Sequence, residues 1–258
     1  MLACIESVVE VALSIGLNRF IHVIQTEETV LLPMPDLAGL VLDIQDFSMR
    51  YPNSDGWILN GLTMNIESGE RFALVGSSGC GKSTVAKSVL QLLPYGSTCK
   101  GKLVVTGQDP RELDQAKLRT LRGEAVGLIF QDPMTRLNPL MTVGGHLLDI
   151  FKAHRPHQDL SWAQARAKEL LDQVGISHVR FNAYPHELSG GMRQRLAIAL
   201  ALALKPPLII ADEPTTNLDV VIANQIMSEL SNLCNQSGTA LLLITHDLAL
   251  ALRWCESM

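Results

Sequence analysis

Apolar and polar positions follow different rhythms in successive parts of the chain. Val41-Leu42-Asp43-Ile44-Gln45-Asp46-Phe47-Ser48-Met49-Arg50-Tyr51 alternates as a strand does, Pro52–Gly56 makes a turn, and Trp57–Ile66 reads as a second strand. Further on, alternation gives way to short unbroken apolar runs at Arg71–Val75, Val126–Phe130, Leu208–Ala211 and Ala240–Ile244. Runs of that length between turn residues predict buried strands. Helical spacing fills the gaps. Val85, Val89 and Leu92 or Leu93 recur before Pro94 and Gly96 stop the run, and Ile222, Ile226 and Leu230 lead to Gly238. Gly101–Gly107 reads as a hairpin strand and Leu113–Leu121 as a short basic helix. Residues 132–204 read as mostly helical, with a capping box at Ser161-Trp162-Ala163-Gln164, a stop at Gly175, and a buried helix over Leu196–Leu204.

Strands interleaved with helices predict an α/β fold, and 258 residues suit one large domain or a domain with a subdomain. A net charge of −5 with no basic stripe disfavours nucleic acid as a partner. The five cysteines, Cys4, Cys80, Cys99, Cys234 and Cys255, are scattered and odd in number, so neither zinc nor a disulfide framework is indicated. The best candidate for a membrane span, Val8–Ile24, is interrupted by Glu10 and Arg19 and falls short of the ~20 apolar residues required. Residues 1–38 stand apart from the rest of the chain. They read either as an amphipathic extension that docks on a partner or, the preferred reading, as residues ahead of a natural start at Met34.

The chemistry centres on Gly76-Ser77-Ser78-Gly79-Cys80-Gly81-Lys82-Ser83-Thr84, which fits the phosphate-binding pattern G-x-x-x-x-G-K-[ST] between a buried strand and a helix. Gly76, Gly79 and Gly81 let the backbone turn so that its N–H groups and the positive helix end face phosphate oxygens. Lys82 supplies charge for the β- and γ-phosphates, and the Ser83 hydroxyl is placed to ligate Mg²⁺. Cys80 inside the loop is a point where alkylation or oxidation would block nucleotide.

Other polar groups stand where strands end, the place where active-site groups of parallel sheets collect. Leu208–Asp212 ends in two carboxylates. Asp212 suits a Mg²⁺ role and Glu213 a general base. Gln131 follows Val126–Phe130, and His246 follows Ala240–Ile244. Ser189-Gly190-Gly191-Met192 opens a helix and is a second anion site of the same physical kind. Tyr51 can stack on adenine or fill an ordinary strand position, with Trp57 as the other aromatic in reach.

The joint order of Tyr51, Gly76–Thr84, Gln131, Leu188-Ser189-Gly190-Gly191-Met192, Leu208–Glu213, Asn217-Leu218-Asp219 and His246 resembles the nucleotide-binding subunit of an ABC transporter over residues 40–258. Ile129–Pro139, Tyr184–Arg195 and Met192, a position where most relatives carry Gln, resemble the dipeptide/oligopeptide/nickel importer branch. The resemblance implies a P-loop NTPase (RecA-like) core over residues 39–258 with an antiparallel β subdomain and a helical subdomain at about 132–204. It implies that Tyr51 stacks on adenine, that Gln131 senses Mg²⁺ and the attacking water, and that His246 grips the γ-phosphate. Ser189, Gly190, Gly191 and Met192 would contact ATP held by a partner subunit, and Asp219 would link the two sites. The implied partners are a second ATP-binding subunit, two membrane permease subunits and, indirectly, a substrate-binding protein. The implied location is peripheral, at the cytoplasmic face of the plasma (inner) membrane. An ABC ATPase of a soluble complex, of the phosphonate-lyase accessory type, and a subunit that binds but does not hydrolyse ATP are the rival readings. Relatives continue past the His246 strand with a strand pair and more helix, so an edge of the sheet is expected to lie bare here.

Overall fold

The computed structural model describes residues 39–132, 136–216 and 218–258. The segment before Gly39, with the expected start at Met34, lies outside them, as do Pro133–Thr135 and Asn217. The elements run β1 (Leu40–Arg50), β2 (Leu59–Glu67), β3 (Arg71–Val75), α1 (Lys82–Val89), β4 (Thr98–Val105), α2 (Gln115–Thr120), β5 (Val126–Ile129), α3 (Val143–His154), α4 (Leu160–Gln173), α5 (Gly190–Leu202), β6 (Leu208–Asp212), α6 (Val220–Ser237), β7 (Ala240–Thr245) and α7 (Leu248–Trp254).

Two sheets form. β2-β1-β4 is antiparallel, and β3-β7-β6-β5 is parallel. The apolar runs have their reason in the second sheet, which is covered on both faces. Leu208 and Ile210 of β6 and Leu242 and Ile244 of β7 point into one core, with α1 and the antiparallel sheet. Their neighbours Ile209, Ala211, Leu241 and Leu243 point into the other, with α3, α4, α5 and α6. A strand of alternating polarity would expose a polar row to one of these cores. Each fully buried Leu or Ile contributes roughly 2 kcal/mol. The alternating β1 is the central strand of the antiparallel sheet, and its Leu42, Ile44, Phe47 and Met49 join the first of these cores.

Turn chemistry sets the connections. β1 bulges near Asp46, which adopts φ 47°, and a Cβ at Gly101 on β4 would lie 2.1 Å from the Asp46 carbonyl oxygen. Only glycine fits there. The capping box expected at Ser161 is corrected: α4 begins earlier, and the Asp159 carboxylate accepts from Trp162 N at 2.7 Å, with the Ser161 hydroxyl donating to the same oxygen. A carboxylate two residues upstream outcompetes the serine as N-cap. The second strand begins at Leu59 rather than Trp57. The sheet edge expected to be bare is partly paired. Glu256 N donates to Arg71 O at 2.9 Å and Ser257 O accepts from Ala73 N at 2.8 Å, laying these residues along the outer side of β3. Among the described residues, no helix is long and apolar enough to cross a membrane.

Candidate active site

The turn after β3 is shaped by its glycines. Gly79 and Gly81 adopt φ 84° and 99°, and a Cβ at Gly76 would come within 2.8 Å of Cys80 Sγ. Gly81 is the N-cap of α1, which points its free N–H groups into the loop. Lys82 is 5% exposed, and its Nζ donates to the Gly76 and Ser77 carbonyls at 2.7 and 2.8 Å. The ammonium is thus tied into the loop it has to serve. On the far side of α1 the Tyr51 hydroxyl lies 3.1 Å from Thr84 Oγ1, so Tyr51 stands against the phosphate-loop helix. Trp57 is held otherwise, with Lys100 Nζ 5.0 Å and the Arg50 guanidinium 5.5 Å from its ring centre.

The parallel sheet brings the remaining groups to one edge. β3, β5, β6 and β7 run in the same direction, so their C-terminal ends lie together and deliver the phosphate loop, Gln131, Asp212-Glu213 and His246. Asp212 ends β6 beside α1, with the Ser83 side chain near its carboxyl. Burial pushes that carboxyl above the usual range and the neighbouring Glu213 adds to this, while the Ser83 hydroxyl and Lys82 pull against it.

Glu213 leaves the strand with φ 47°, a left-handed conformation that costs a non-glycine residue about 1–3 kcal/mol. Its N–H still donates to Ile244 O at 2.8 Å, so the turn redirects the side chain without breaking the register. The carboxylate is then held from three directions. Gln131 Nε2 donates to Oε2 at 3.1 Å, the Thr216 hydroxyl donates to Oε2 at 3.0 Å, and His246 Nδ1 lies 3.1 Å from Oε1. With Glu213 ionised, Nδ1 of His246 is the donor in this contact. Thr216 was not singled out in the sequence. Its position three residues after Glu213 in a Pro-Thr-Thr turn is the signal that marks it.

Mg²⁺ can be tested against these residues. Asp212 Oδ1 is buried without a hydrogen-bond partner, beside the Ser83 hydroxyl. An oxygen-only donor pair of this kind suits a small hard cation. Among the described residues no group of three or more His, Cys, Asp or Glu could hold a metal, so phosphate oxygens and water would complete the shell, as Mg²⁺ prefers. The residues fit.

Ser189, Gly190, Gly191 and Met192 are grouped with Asp219 instead. Ser189 caps α5 by accepting from Met192 N at 3.3 Å, and Asp219 caps α6 by accepting from Val221 N and Ile222 N at 3.1 and 3.0 Å. A Cβ at Gly190 would sit 3.8 Å from Leu218, and one at Gly191 3.2 Å from Ile222, so the two helix starts are packed side by side.

A family model described as ABC transporter matches residues 59–216, more than half of the chain. The chain belongs to the ABC transporter family. The ABC relatives include the "Probable D,D-dipeptide transport ATP-binding protein DdpD" of Escherichia coli K12, 43% identical over 226 residues, covering 84% of this chain and 68% of that protein. The oligopeptide transport ATP-binding protein OppD of Haemophilus influenzae is 39% identical over 222 residues, covering 84% and 68%. Among solved ABC structures, the ATP-binding cassette MJ0796, a dimer in a post-hydrolysis state bound to ADP and Pi, superposes with a TM-score of 0.72 at 29% identity over 83% of this chain and 91% of that one. The described fold is accordingly that of an ABC nucleotide-binding domain: a parallel core carrying the phosphate loop, an antiparallel sheet and a group of helices. It binds and hydrolyses ATP.

Proposed function

We propose that this chain is the ATP-hydrolysing subunit of an importer for peptides, nickel or a related small solute. Residues 39–258 would act as one nucleotide-binding unit with the helical part at about 132–204. The observation that carries the reading is the convergence of the phosphate loop, Ser83–Asp212 and Gln131–Glu213–His246 at one sheet edge. The names of the relatives support peptides as the solute class.

In this reading the triphosphate takes the N–H groups of Gly76–Thr84, and Lys82 exchanges its carbonyl partners for β- and γ-phosphate oxygens. Tyr51, set against α1, stacks on adenine. Ser83, Asp212 and Gln131 would hold Mg²⁺, which draws charge from the β- and γ-phosphates when bound. Glu213 takes a proton from the attacking water as its oxygen bonds to the γ-phosphorus, and ADP leaves. His246, oriented by Glu213 through Nδ1, donates from Nε2 to the γ-phosphate with both ring nitrogens carrying a proton. Ser189–Met192 meet the γ-phosphate held by a second copy or a related subunit and Asp219 links the two sites, so two chains enclose two ATP molecules. This places the chain on the inner face of the membrane, bound to two permeases. An apolar groove of about 310 Å³ beside Gln131, at the outer edge of β5, carries Leu92, Leu128, Phe130 and Ile150 and is the surface assigned to the permeases.

The test is ATP hydrolysis by the purified chain, alone and with its partner subunits, beside Glu213→Gln. Turnover that disappears in the variant while ATP still binds supports the reading. Binding without turnover in every combination overturns it.

A further inference from the structure

Arg195 lies on α5, six residues after Ser189, and its guanidinium ties together elements that local sequence does not connect. Nη1 donates to Val174 O, just past α4, at 3.3 Å, and Nη2 pairs with Glu229 Oε1 of α6 at 2.6 Å. The chain keeps space for it. Gly175 turns with φ 69°, and a Cβ there would lie 2.2 Å from Arg195 Nη1. The other oxygen, Glu229 Oε2, is buried with no hydrogen-bond partner, so Arg195 is the cation that makes this carboxylate tolerable.

α5 and α6 touch closely at their N-terminal starts, at Gly191 and Ile222, and again here. Two separated contacts between two helices fix both slide and tilt. A slip of one residue along either axis would displace its N-terminus by about 1.5 Å, enough to misplace a hydrogen-bonding site. We propose that Arg195 is a positioning residue for the half-site this chain offers a partner: by bonding Val174 and Glu229 at once, it holds α5 against α6 so that Ser189–Gly191 and Asp219 are presented in one fixed arrangement. The inference rests on the proposed function, since it gives that half-site its ligand. Lysine cannot replace the guanidinium, because its single ammonium does not span both acceptors in a planar fork.

The test uses the full chain with Glu213→Gln, which stops hydrolysis, as the parent. ATP-driven self-association is followed by sedimentation and ADP affinity by calorimetry. Arg195→Lys and Glu229→Gln are expected to weaken ATP-driven association about tenfold or more, with ADP affinity within about twofold of the parent. The pair Arg195→Met with Glu229→Met removes both half-buried charges together and is expected to keep the melting temperature without restoring association. Unchanged association in the single variants, or association restored by the methionine pair, overturns the inference while leaving the proposed function standing. A parent that never associates on ATP, even with its partner subunits, overturns the proposed function and this inference with it.

Discussion

Glu213 Oε1 and His246 Nδ1 stand 3.1 Å apart, although 33 residues separate them in the chain. The side chain of Glu213 is 13% exposed and that of His246 55%, so the carboxylate is sheltered while the imidazole reaches outward. That asymmetry suits a base next to a phosphate-facing donor. His246→Ala is expected to lower kcat about 10²–10³-fold, the effect of losing one well-placed donor. KM for ATP should change little, because phosphate-loop contacts survive. Steady-state hydrolysis with the partner subunits checks it, and a large rise in KM at constant kcat would contradict the assigned role.

Lys82 donates to the Gly76 and Ser77 carbonyls at 2.7 and 2.8 Å. Lys82→Met removes both bonds and the charge. ATP affinity should fall at least about tenfold, equivalent to about 1.4 kcal/mol. The nucleotide-free melting temperature should fall too, since a charged hydrogen bond contributes about 1.5–3 kcal/mol. Calorimetric titration and thermal unfolding measure the two effects separately.

The raised pKa of Asp212 makes a pH prediction with a definite sign. A carboxyl that binds its proton more tightly in the folded chain stabilises the fold below its unfolded pKa, and that contribution is lost as pH rises through the raised folded value. The melting temperature of the metal-free chain should therefore fall with rising pH across that window more than that of Asp212→Asn. Mg²⁺ with ATP should raise the melting temperature of the unaltered chain above that window and do much less for the variant. Parallel pH curves for the two proteins would remove Asp212 from this role.

Asp219 has two jobs that substitution can separate. It caps α6 through Val221 N and Ile222 N, and it stands beside the Ser189 turn. Asp219→Ala should lower stability by about 1 kcal/mol and also reduce hydrolysis. Asp219→Ser should restore the cap and the melting temperature while leaving hydrolysis reduced. Full recovery of hydrolysis in the serine variant would reduce Asp219 to a cap.

Phe130 forms part of the groove beside Gln131. Phe130→Asp should abolish co-purification with the permeases and leave ATP affinity of the isolated chain within about twofold, since a charge in an apolar contact is costly only when that contact is buried. Undiminished co-purification would move the permease surface elsewhere.

Features whose cause is local were legible along the chain. The phosphate loop needs a few contiguous residues, and its glycines were interpretable because a tight turn requires either positive φ, as at Gly79 and Gly81, or close approach, as at Gly76. The buried strands were legible because burial on both faces removes polar positions altogether. Starts set by competition between neighbouring caps were not, and α4 begins at Asp159's command rather than Ser161's. That Gln131, Glu213 and His246 each end a strand was readable. That they share one carboxylate follows from the strand order β3-β7-β6-β5, which is decided by how two cores close over the sheet and by no short stretch of residues. The left-handed turn at Glu213 and the Arg195 bonds to Val174 and Glu229 belong to the same class. Their partners lie on different elements, and only packing brings those elements within the roughly 3 Å over which a hydrogen bond acts.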